Sequence, residues 1–189
     1  MPLDDYLPEF RAVERHAILI SARPEDVYRS LLAIDFNQSR MINILFSLRG
    51  LQFLAKPSKS DHPRAIRLED FINHGFILLE DKTAQELILG LIGRFWTLQG
   101  GLIHVAASEF SAYPAMGNAK AVWGFEFQEV DKLQTRLVTE TRVQVLDRSS
   151  RLRFDLYWWM IGPFSGFIRQ ALLRLVKSQA EQAAAGRKK

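Results

Sequence analysis

The sequence predicts an α+β fold in which a curved antiparallel β-sheet wraps around a long C-terminal helix. Three observations predict it. The last quarter of the chain carries an apolar stripe with a period of about 3.6 residues, as on one face of a helix. Two earlier segments, Ala119 to Val130 and Thr135 to Leu146, alternate between polar and apolar residues as strands do. Every strand signal precedes the stripe, so the helix has a sheet to cover.

The terminal helix is expected from Ser149 to about Ala185. Its stripe consists of Phe164, Phe167, Ile168, Ala171, Leu172, Leu175, Val176 and Ala180, and Arg169, Arg174, Lys177 and Glu181 lie off it. Asp147 or Ser149 can cap its first turn, because a short side-chain oxygen accepts hydrogen bonds from backbone N–H groups there. Gly162 and Pro163 should kink or break the helix, because proline lacks a backbone donor and clashes with the preceding turn.

The first third of the chain is expected to form one strand and two short helices. Residues 12–22 alternate and are rich in aliphatic residues, which is typical of a strand. Pro24 opens a helix at a position where its missing N–H would have no partner. A second helix is expected from Gln38 to Leu54 as a packed lid, with contact to a membrane or a partner as the alternative. A polar loop at residues 56–67 and a short helix from Leu68 to Asn73 should follow.

The middle of the chain is expected to form an antiparallel hairpin and a short helix. Phe76 to Glu80 and Glu86 to Trp96 have the composition of two strands. Gly90 and Gly93 indicate bulges or a sharp bend in the second of them. The short helix is expected at Ala107 to Tyr113.

The two alternating segments predict the faces of the sheet. One face carries Trp123, Phe125, Phe127, Leu137, Thr139, Thr141, Val143 and Val145. The other carries Glu126, Gln128, Arg136, Glu140, Arg142 and Gln144. One dry and one wet face is typical of an antiparallel sheet. Glu140 and Arg142 could orient a polar ligand group, but ion pairing on a solvated outer face is the favoured interpretation.

Several local segments occur in an order shared with a known superfamily. They are Ile18 to Tyr28, Glu86-Leu87 with Gly90, Gly93 and Phe95-Trp96, Thr139 to Val143, and Tyr157-Trp158, Pro163, Ser165, Ile168-Arg169 and Ala180-Glu181. With the order of elements, they resemble the START-like, helix-grip superfamily (SRPBCC), which includes polyketide cyclase-like proteins. The resemblance covers nearly the whole chain. It implies seven strands or a similar number around the terminal helix, with an apolar cavity between sheet and helix.

Length and composition favour one globular domain. The chain has 189 residues, 48% apolar and 24% charged, so residues 1–186 are expected to form one domain before a basic tail at 187–189. The absence of cysteine excludes disulfides, thiolate metal sites and cysteine nucleophiles. The acidic start does not resemble a signal peptide, and the apolar run from Leu156 to Ile168 is shorter than the roughly 20 residues that span a bilayer. A cytoplasmic location is therefore expected.

No metal, cofactor or nucleic-acid partner is expected. No two of His16, His62, His74 and His104 have the spacing of a helical metal pair. Neither a phosphate-binding glycine loop nor a serine nucleophile elbow occurs. The net charge of +4 arises from basic residues that are interleaved with acids, which argues against a nucleic-acid site. Peripheral membrane contact and the oligomeric state stay open.

The expected function is binding of a small hydrophobic or amphipathic ligand, such as a lipid, an aromatic polyketide or an isoprenoid, for transport or sequestration. The expected cavity wall consists of Leu89, Trp96, Trp123, Phe125, Phe127, Leu137, Thr139, Thr141, Tyr157 and Phe164, with His74 and His104 as candidate polar groups. One alternative is a cyclase or aromatase that uses the same cavity, in which His74, His104 and Tyr157 would move protons. Another is an interaction protein that dimerises through its terminal helix. No catalytic residue is assigned.

Overall fold

The computed structural model describes residues 2–36, 66–97 and 101–186. After a 3₁₀ turn at Leu3–Asp5, the elements are β1 (Ala12–Ile20), α1 (Pro24–Ala33), α2 (Leu68–Asn73), β2 (Ile77–Lys82), β3 (Glu86–Gly93), α3 (Ala107–Phe110), β4 (Ala119–Asp131), β5 (Gln134–Val145) and α4 (Arg148–Gly186). The second predicted helix, Gln38 to Leu54, the basic tail and most of the predicted polar loop lie outside the described residues.

The five strands form one antiparallel sheet in the order β1-β5-β4-β3-β2. This curved sheet with the long helix α4 against it is the predicted α+β, helix-grip architecture. The described residues hold five strands rather than the seven that the resemblance implied. The reason is that residues 101–118 form turns, α3 and a single bridge between Ile92 and Ile103 instead of further strands.

Helix α1 begins where the sequence predicts. Arg23 is the extended N-cap and Pro24 the first helical residue. Val27 and Leu31 are fully buried, and they pack in the main core with Leu172 and Val176 of α4. The helix therefore fixes α4 against one end of the sheet.

The buried stripe of α4 differs from the predicted one. Leu172, Val176 and Ala180 are buried as expected, but Phe164 and Phe167 are 52% and 56% exposed. Ser165 and Arg169 are buried instead. A side chain at Gly166 would begin 3.4 Å from Glu14 Oε2 and 3.5 Å from the His16 ring on β1. These distances are ordinary van der Waals contact, so α4 packs directly on β1 there. Arg169 faces inward, where its Nε donates to Thr141 of β5, and Phe164 and Phe167 therefore face away from the sheet.

Helix α4 does not break at proline. It runs continuously through Gly162 and Pro163, so the predicted break does not occur, and the predicted kink stays a prediction. Ile161 and Ser165, on either side of the proline, are buried. Within the described ranges, no helix combines the length and hydropathy that a membrane crossing requires. The cytoplasmic location and the single-domain boundary stay predictions.

The outer face of the sheet carries a second core, so the prediction of one wet face is wrong for β2 to β4. Its buried members are Leu3, Leu7, Ile77, Ile88, Ile92, Phe110, Ala115 and Val122. Lys120 lies among them, with its Nζ donating to the Ser111 carbonyl at 2.9 Å and 5.0 Å from the Phe110 ring centroid. Burial lowers the pKa of this ammonium group. The N-terminal segment and α3 thus shield this face of the sheet from water.

Gly90 serves close packing rather than a bulge. Strand β3 pairs with β4 without interruption from Glu86 to Gly93, so the bulges predicted at the two glycines are wrong. A Cβ on Gly90 would lie 2.7 Å from Phe110 Cε2, so the position leaves room for that ring. The irregularity lies in β2 instead, between Leu78 and Glu80.

The ion pair predicted on β5 forms, but in a buried setting. Arg142 Nε donates to Glu140 Oε1 at 2.7 Å, and Arg142 Nη1 donates to the Leu7 carbonyl at 3.2 Å and to Asp4 Oδ1. Glu140 is only 8% exposed. These contacts attach the N-terminal segment to the outer face and have no part in a cavity.

Asp147 caps α4, as the sequence predicts. Its Oδ1 accepts hydrogen bonds from the Ser150 N–H at 2.9 Å and the Ser149 hydroxyl at 2.8 Å, and its Oδ2 accepts from the Gly117 N–H at 2.9 Å. The hydrogen bonds from Ser150, with those from Ser149 and Gly117, lower the pKa of this carboxyl well below its ordinary range.

Asp147→Ala is expected to lower the melting temperature at neutral pH. Because the folded pKa lies below the unfolded one, the carboxylate contributes its full stabilisation above the unfolded pKa, about 3.9, and loses it as pH falls through the folded pKa. The difference in melting temperature between wild type and variant should therefore be constant between about pH 5 and 8 and shrink below about pH 4. A difference that grows on acidification would contradict this assignment.

Leu172→Ala should destabilise the protein by about 2–5 kcal/mol, because it leaves a void in the main core. Leu156→Ala on the same helix is the matched control: Leu156 is 68% exposed, against 1% for Leu172. The control should change stability by no more than about 0.5 kcal/mol. Urea denaturation followed by circular dichroism measures both, and equal losses would mean that the buried face is misassigned.

Candidate functional site

A cavity of about 150 Å³ lies between the sheet and α4. The sheet contributes Leu89, Leu91, Ala121, Trp123 and Val143 to its wall. Helix α4 contributes Phe154, Tyr157, Trp158, Ile168 and Leu172. The segments between them contribute Phe36, Phe71, Phe76, Phe95 and Leu102. The wall is thus apolar on three sides.

Ring-on-ring contacts support the wall. Phe71 packs against Phe36 and Phe76 with centroid distances of 4.8 and 5.4 Å. Trp123 lies 6.5 Å from Phe76 and 4.8 Å from the core residue Phe125. Because aromatic pairs favour particular geometries, this row of rings restrains the wall in one shape.

A second stack forms the end of the cavity near the start of α4. Phe154 stacks on Trp158 at 5.6 Å with an interplanar angle of 21°, and Tyr157 lies 6.2 Å from Phe154. Helical spacing brings all three to the side of α4 that faces the sheet. Trp159, the next residue, is 78% exposed.

One corner of the cavity is polar, and it is formed by Thr141, Ser165 and Arg169. Arg169 Nε donates to Thr141 Oγ1 at 3.2 Å, and its Nη1 donates to the Ser165 carbonyl at 3.0 Å and to Ser165 Oγ at 2.5 Å. Arg169 is only 8% exposed. The site therefore brings a positive charge, held in place by hydrogen bonds, into an otherwise apolar wall. Coulombic interactions are stronger there than in water.

The structure brings four of the predicted wall residues to the cavity: Leu89, Trp123, Thr141 and Tyr157. Others that share their face of the sheet belong to the packed core: Phe125, Phe127 and Leu137. The sequence pattern assigned the face correctly, but only the position of α4 decides which residues on it border empty space.

Thr139, Trp96 and Phe164 lie elsewhere as well. Thr139 is fully buried, and its Oγ1 accepts a hydrogen bond from Trp123 Nε1 at 2.9 Å and donates to the Gly124 carbonyl at 3.1 Å. Trp96 packs with Phe154, and its buried Nε1 makes no hydrogen bond within the described part of the chain. Phe164 faces away from the cavity because of the rotation of α4.

His74 and His104 are exposed and are not part of the wall. His74 follows α2, and its Nδ1 lies 2.5 Å from the Asp70 carbonyl, which holds the ring at the end of that helix. His16 lies 3.0 Å from Glu14 Oε2 on β1. In the described ranges, no three acidic or histidine side chains are placed to hold a metal ion.

Sequence reasoning missed the polar corner. Arg169 lies off the predicted stripe because a charged residue normally faces water, and the helical pattern gives Ser165 no role. Thr141 gave a signal, since a threonine on a dry sheet face needs a polar partner. The wall residues Phe71, Phe76 and Phe154 gave no periodic signal that separates a cavity wall from a core.

Comparison with solved structures finds similar chains over nearly the full length. The Zhui aromatase/cyclase from Streptomyces sp. R1128 is 12% identical, with a TM-score of 0.34 over 92% of this chain and 95% of that one. A norcoclaurine synthase point mutant from Thalictrum flavum, in complex with a transition-state analogue, is 10% identical, with a TM-score of 0.37 over 87% of this chain and 93% of that one.

A hypothetical protein from Helicobacter pylori is 11% identical, with a TM-score of 0.39 over 95% of this chain and 94% of that one. No family profile matches the sequence, and neither does any curated protein. The helix-grip assignment therefore rests on the strand order and on the position of α4.

Thr139→Val should destabilise the protein by about 1–3 kcal/mol, because it removes the acceptor of the Trp123 indole N–H. Thr139→Ser keeps the hydroxyl and should cost less. The double variant Thr139→Val with Trp123→Phe should cost less than the sum of the single changes. Urea unfolding of the wild type, the two single variants Thr139→Val and Trp123→Phe, and the double variant measures the coupling energy. Strictly additive losses of stability would show that the hydrogen bond does not couple the two residues.

Proposed function

We propose that the protein binds a small amphipathic molecule, with its apolar part in the cavity and an oxygen-bearing end at Arg169. The observation that carries the proposal is an apolar cavity of about 150 Å³ whose non-aromatic polar side chains, among the described residues, lie together at one corner: Thr141, Ser165 and Arg169. Binding sites for small molecules commonly have this composition, in which apolar walls supply affinity and few polar groups fix orientation.

The volume bounds the part of the ligand that is enclosed. An apolar cavity of about 150 Å³ is known to take up benzene when lined by aliphatic and aromatic side chains. The buried part of the ligand is therefore on the scale of one aromatic ring or a short branched chain. The ring faces of Trp123 and Phe76 offer surfaces on which a flat group can stack.

Arg169 determines the chemistry of the other end. A guanidinium group is always charged and donates in a planar fork that matches a carboxylate. Its hydrogen bonds to Ser165 and Thr141 hold it at the wall, so little further ordering is needed when a ligand arrives. A carboxylate, a phenolate or a polarised carbonyl is thus preferred over a neutral amide.

The proposal is tested with benzoate and benzamide, which share a single aromatic ring and differ in charge. Isothermal titration should show that Arg169→Met weakens benzoate binding by about tenfold to hundredfold, because a hydrogen bond to a charged group is lost. Benzamide binding should change little. Arg174→Met is the matched control, since Arg174 lies five positions later on the same helix and is exposed.

Ala121→Phe provides the second arm. Ala121 lies in the sheet wall, and a larger side chain there fills the cavity. It should weaken both probes, while circular dichroism confirms that the fold is retained. Binding of both probes at wild-type strength in Ala121→Phe and Arg169→Met would overturn the proposal.

A cyclase or aromatase-type activity is the second candidate, and the position of Arg169 beside Thr141 favours it. A guanidinium group at the wall of an apolar site can stabilise an oxyanion such as an enolate by its positive charge. Tyr157 is the one of the three proposed proton-transfer residues that lies in the wall. If the protein enolises ketones, it should accelerate deuterium exchange at the methyl group of acetophenone, measured by NMR. Arg169→Met should abolish this acceleration. If the wild type does not accelerate the exchange, the cyclase or aromatase candidate is rejected and the binding proposal stands by itself.

A further inference from the structure

The outward face of α4 carries a continuous apolar surface. Its members are Leu152, Leu156, Trp159, Met160, Phe164 and Phe167, each more than half exposed. They recur at helical spacing over 16 residues, which corresponds to about 24 Å of helix. We call this set the outer stripe. Single exposed apolar residues are ordinary, but six that share one face mark an interaction surface.

Cations border the outer stripe at both ends. Between Arg148 and Lys177, α4 holds six basic residues and a single acidic one, Asp155. Asp155 is occupied by Arg11, whose Nε and Nη2 each donate to it at 2.6 Å. At about 100° per residue, Arg153 and Arg174 fall within the arc of the stripe, one at each end of it. The face is therefore apolar in its middle and positive at its ends.

We propose that the outer stripe docks on an anionic lipid bilayer, with α4 lying in the plane of the membrane. Helices that lie in the interface present tryptophan, phenylalanine and leucine to the acyl boundary and basic residues to the headgroups. Trp159 is the most exposed of the six, and tryptophan prefers this boundary because its ring is apolar and its N–H is polar.

The charges favour a lipid surface over a second copy of the chain. Pairing two parallel stripes would bring each cation against its own copy. Pairing two antiparallel stripes would leave Arg153 and Arg174 without an acidic partner on the facing helix, because Asp155 is paired with Arg11. An anionic membrane satisfies both ends at once, and each arginine close to such a surface adds attraction. The charge pattern thus selects one occupant for this face.

Docking would also bring the cavity close to the bilayer. Tyr157 and Trp158, which line the cavity, lie in the same turn of α4 as Leu156 and Trp159 of the outer stripe. An amphipathic molecule moving between membrane and cavity would have a short path along this turn. Only this transfer between membrane and cavity depends on the proposed ligand binding, because docking on the membrane does not require a ligand in the cavity.

The test is sedimentation of the full chain with vesicles of phosphatidylcholine alone, or with about one-third phosphatidylserine. Binding should be strong only to the anionic vesicles and weaken in about 1 M salt, where the Debye length falls to about 3 Å. Arg153→Gln with Arg174→Gln should weaken it roughly 30-fold, because each cation contributes about fivefold. Arg29→Gln with Lys132→Gln is the control for charge.

The contribution of the apolar side chains is tested with a second double variant and its control. Trp159→Ser with Phe164→Ser should weaken vesicle binding at least tenfold without loss of helix content. Val130→Ser with Leu133→Ser, at the exposed tip of the β4–β5 hairpin, removes two side chains that are 55% and 52% exposed and should have no effect. Ala121→Phe should bind vesicles normally, which separates a failure of docking from a failure of cavity binding.

Three outcomes would overturn the proposal. The first is no binding to anionic vesicles. The second is binding that Trp159→Ser with Phe164→Ser leaves unchanged. The third is a dimer in analytical ultracentrifugation that this double variant dissociates, which would assign the stripe to a second copy.

Discussion

The packing of α4 against the sheet is the constraint on which the rest of the structure depends. Leu172, Val176 and Ala180 of α4 enter the main core, and Arg169 donates a hydrogen bond to Thr141 of β5. These contacts fix the rotation of the helix about its axis, with Ser165 and Arg169 turned toward the interior. The same rotation turns Phe164 and Phe167 outward.

The interior divides into a packed part and an open part along α4. Toward the C-terminal end, α1 fills the space between helix and sheet with Val27 and Leu31. Toward the start of α4, the wall is built from the rings of Phe154, Tyr157 and Trp158. The cavity lies in this second part, and Arg169 lies between the two. The packed core and the cavity wall therefore use largely different parts of one helix, and Leu172 belongs to both.

The sequence predicted the architecture because its signals are local. Alternation in β4 and β5, the proline at the start of α1 and the Asp147 cap each depend on the neighbouring few residues, and each is confirmed. The predictions that failed depend on contacts between distant segments. The second core needs the N-terminal segment and α3 to reach the outer face. The absence of a side chain at Gly90 leaves room for the ring of Phe110, a contact between segments 20 residues apart.

The sequence by itself determined that this is an α+β protein with a dry sheet face for a long helix to cover, because periodicity states which residues share a face. Tertiary structure alone decided which of those residues border a cavity and which are packed. The periodicity of the sequence predicts the buried face of a helix only to within about one residue, which corresponds to a rotation of about 100° about the helix axis. A helix so apolar has two candidate faces, and packing against α1 and the sheet selected the one that carries Leu172, Val176 and Arg169.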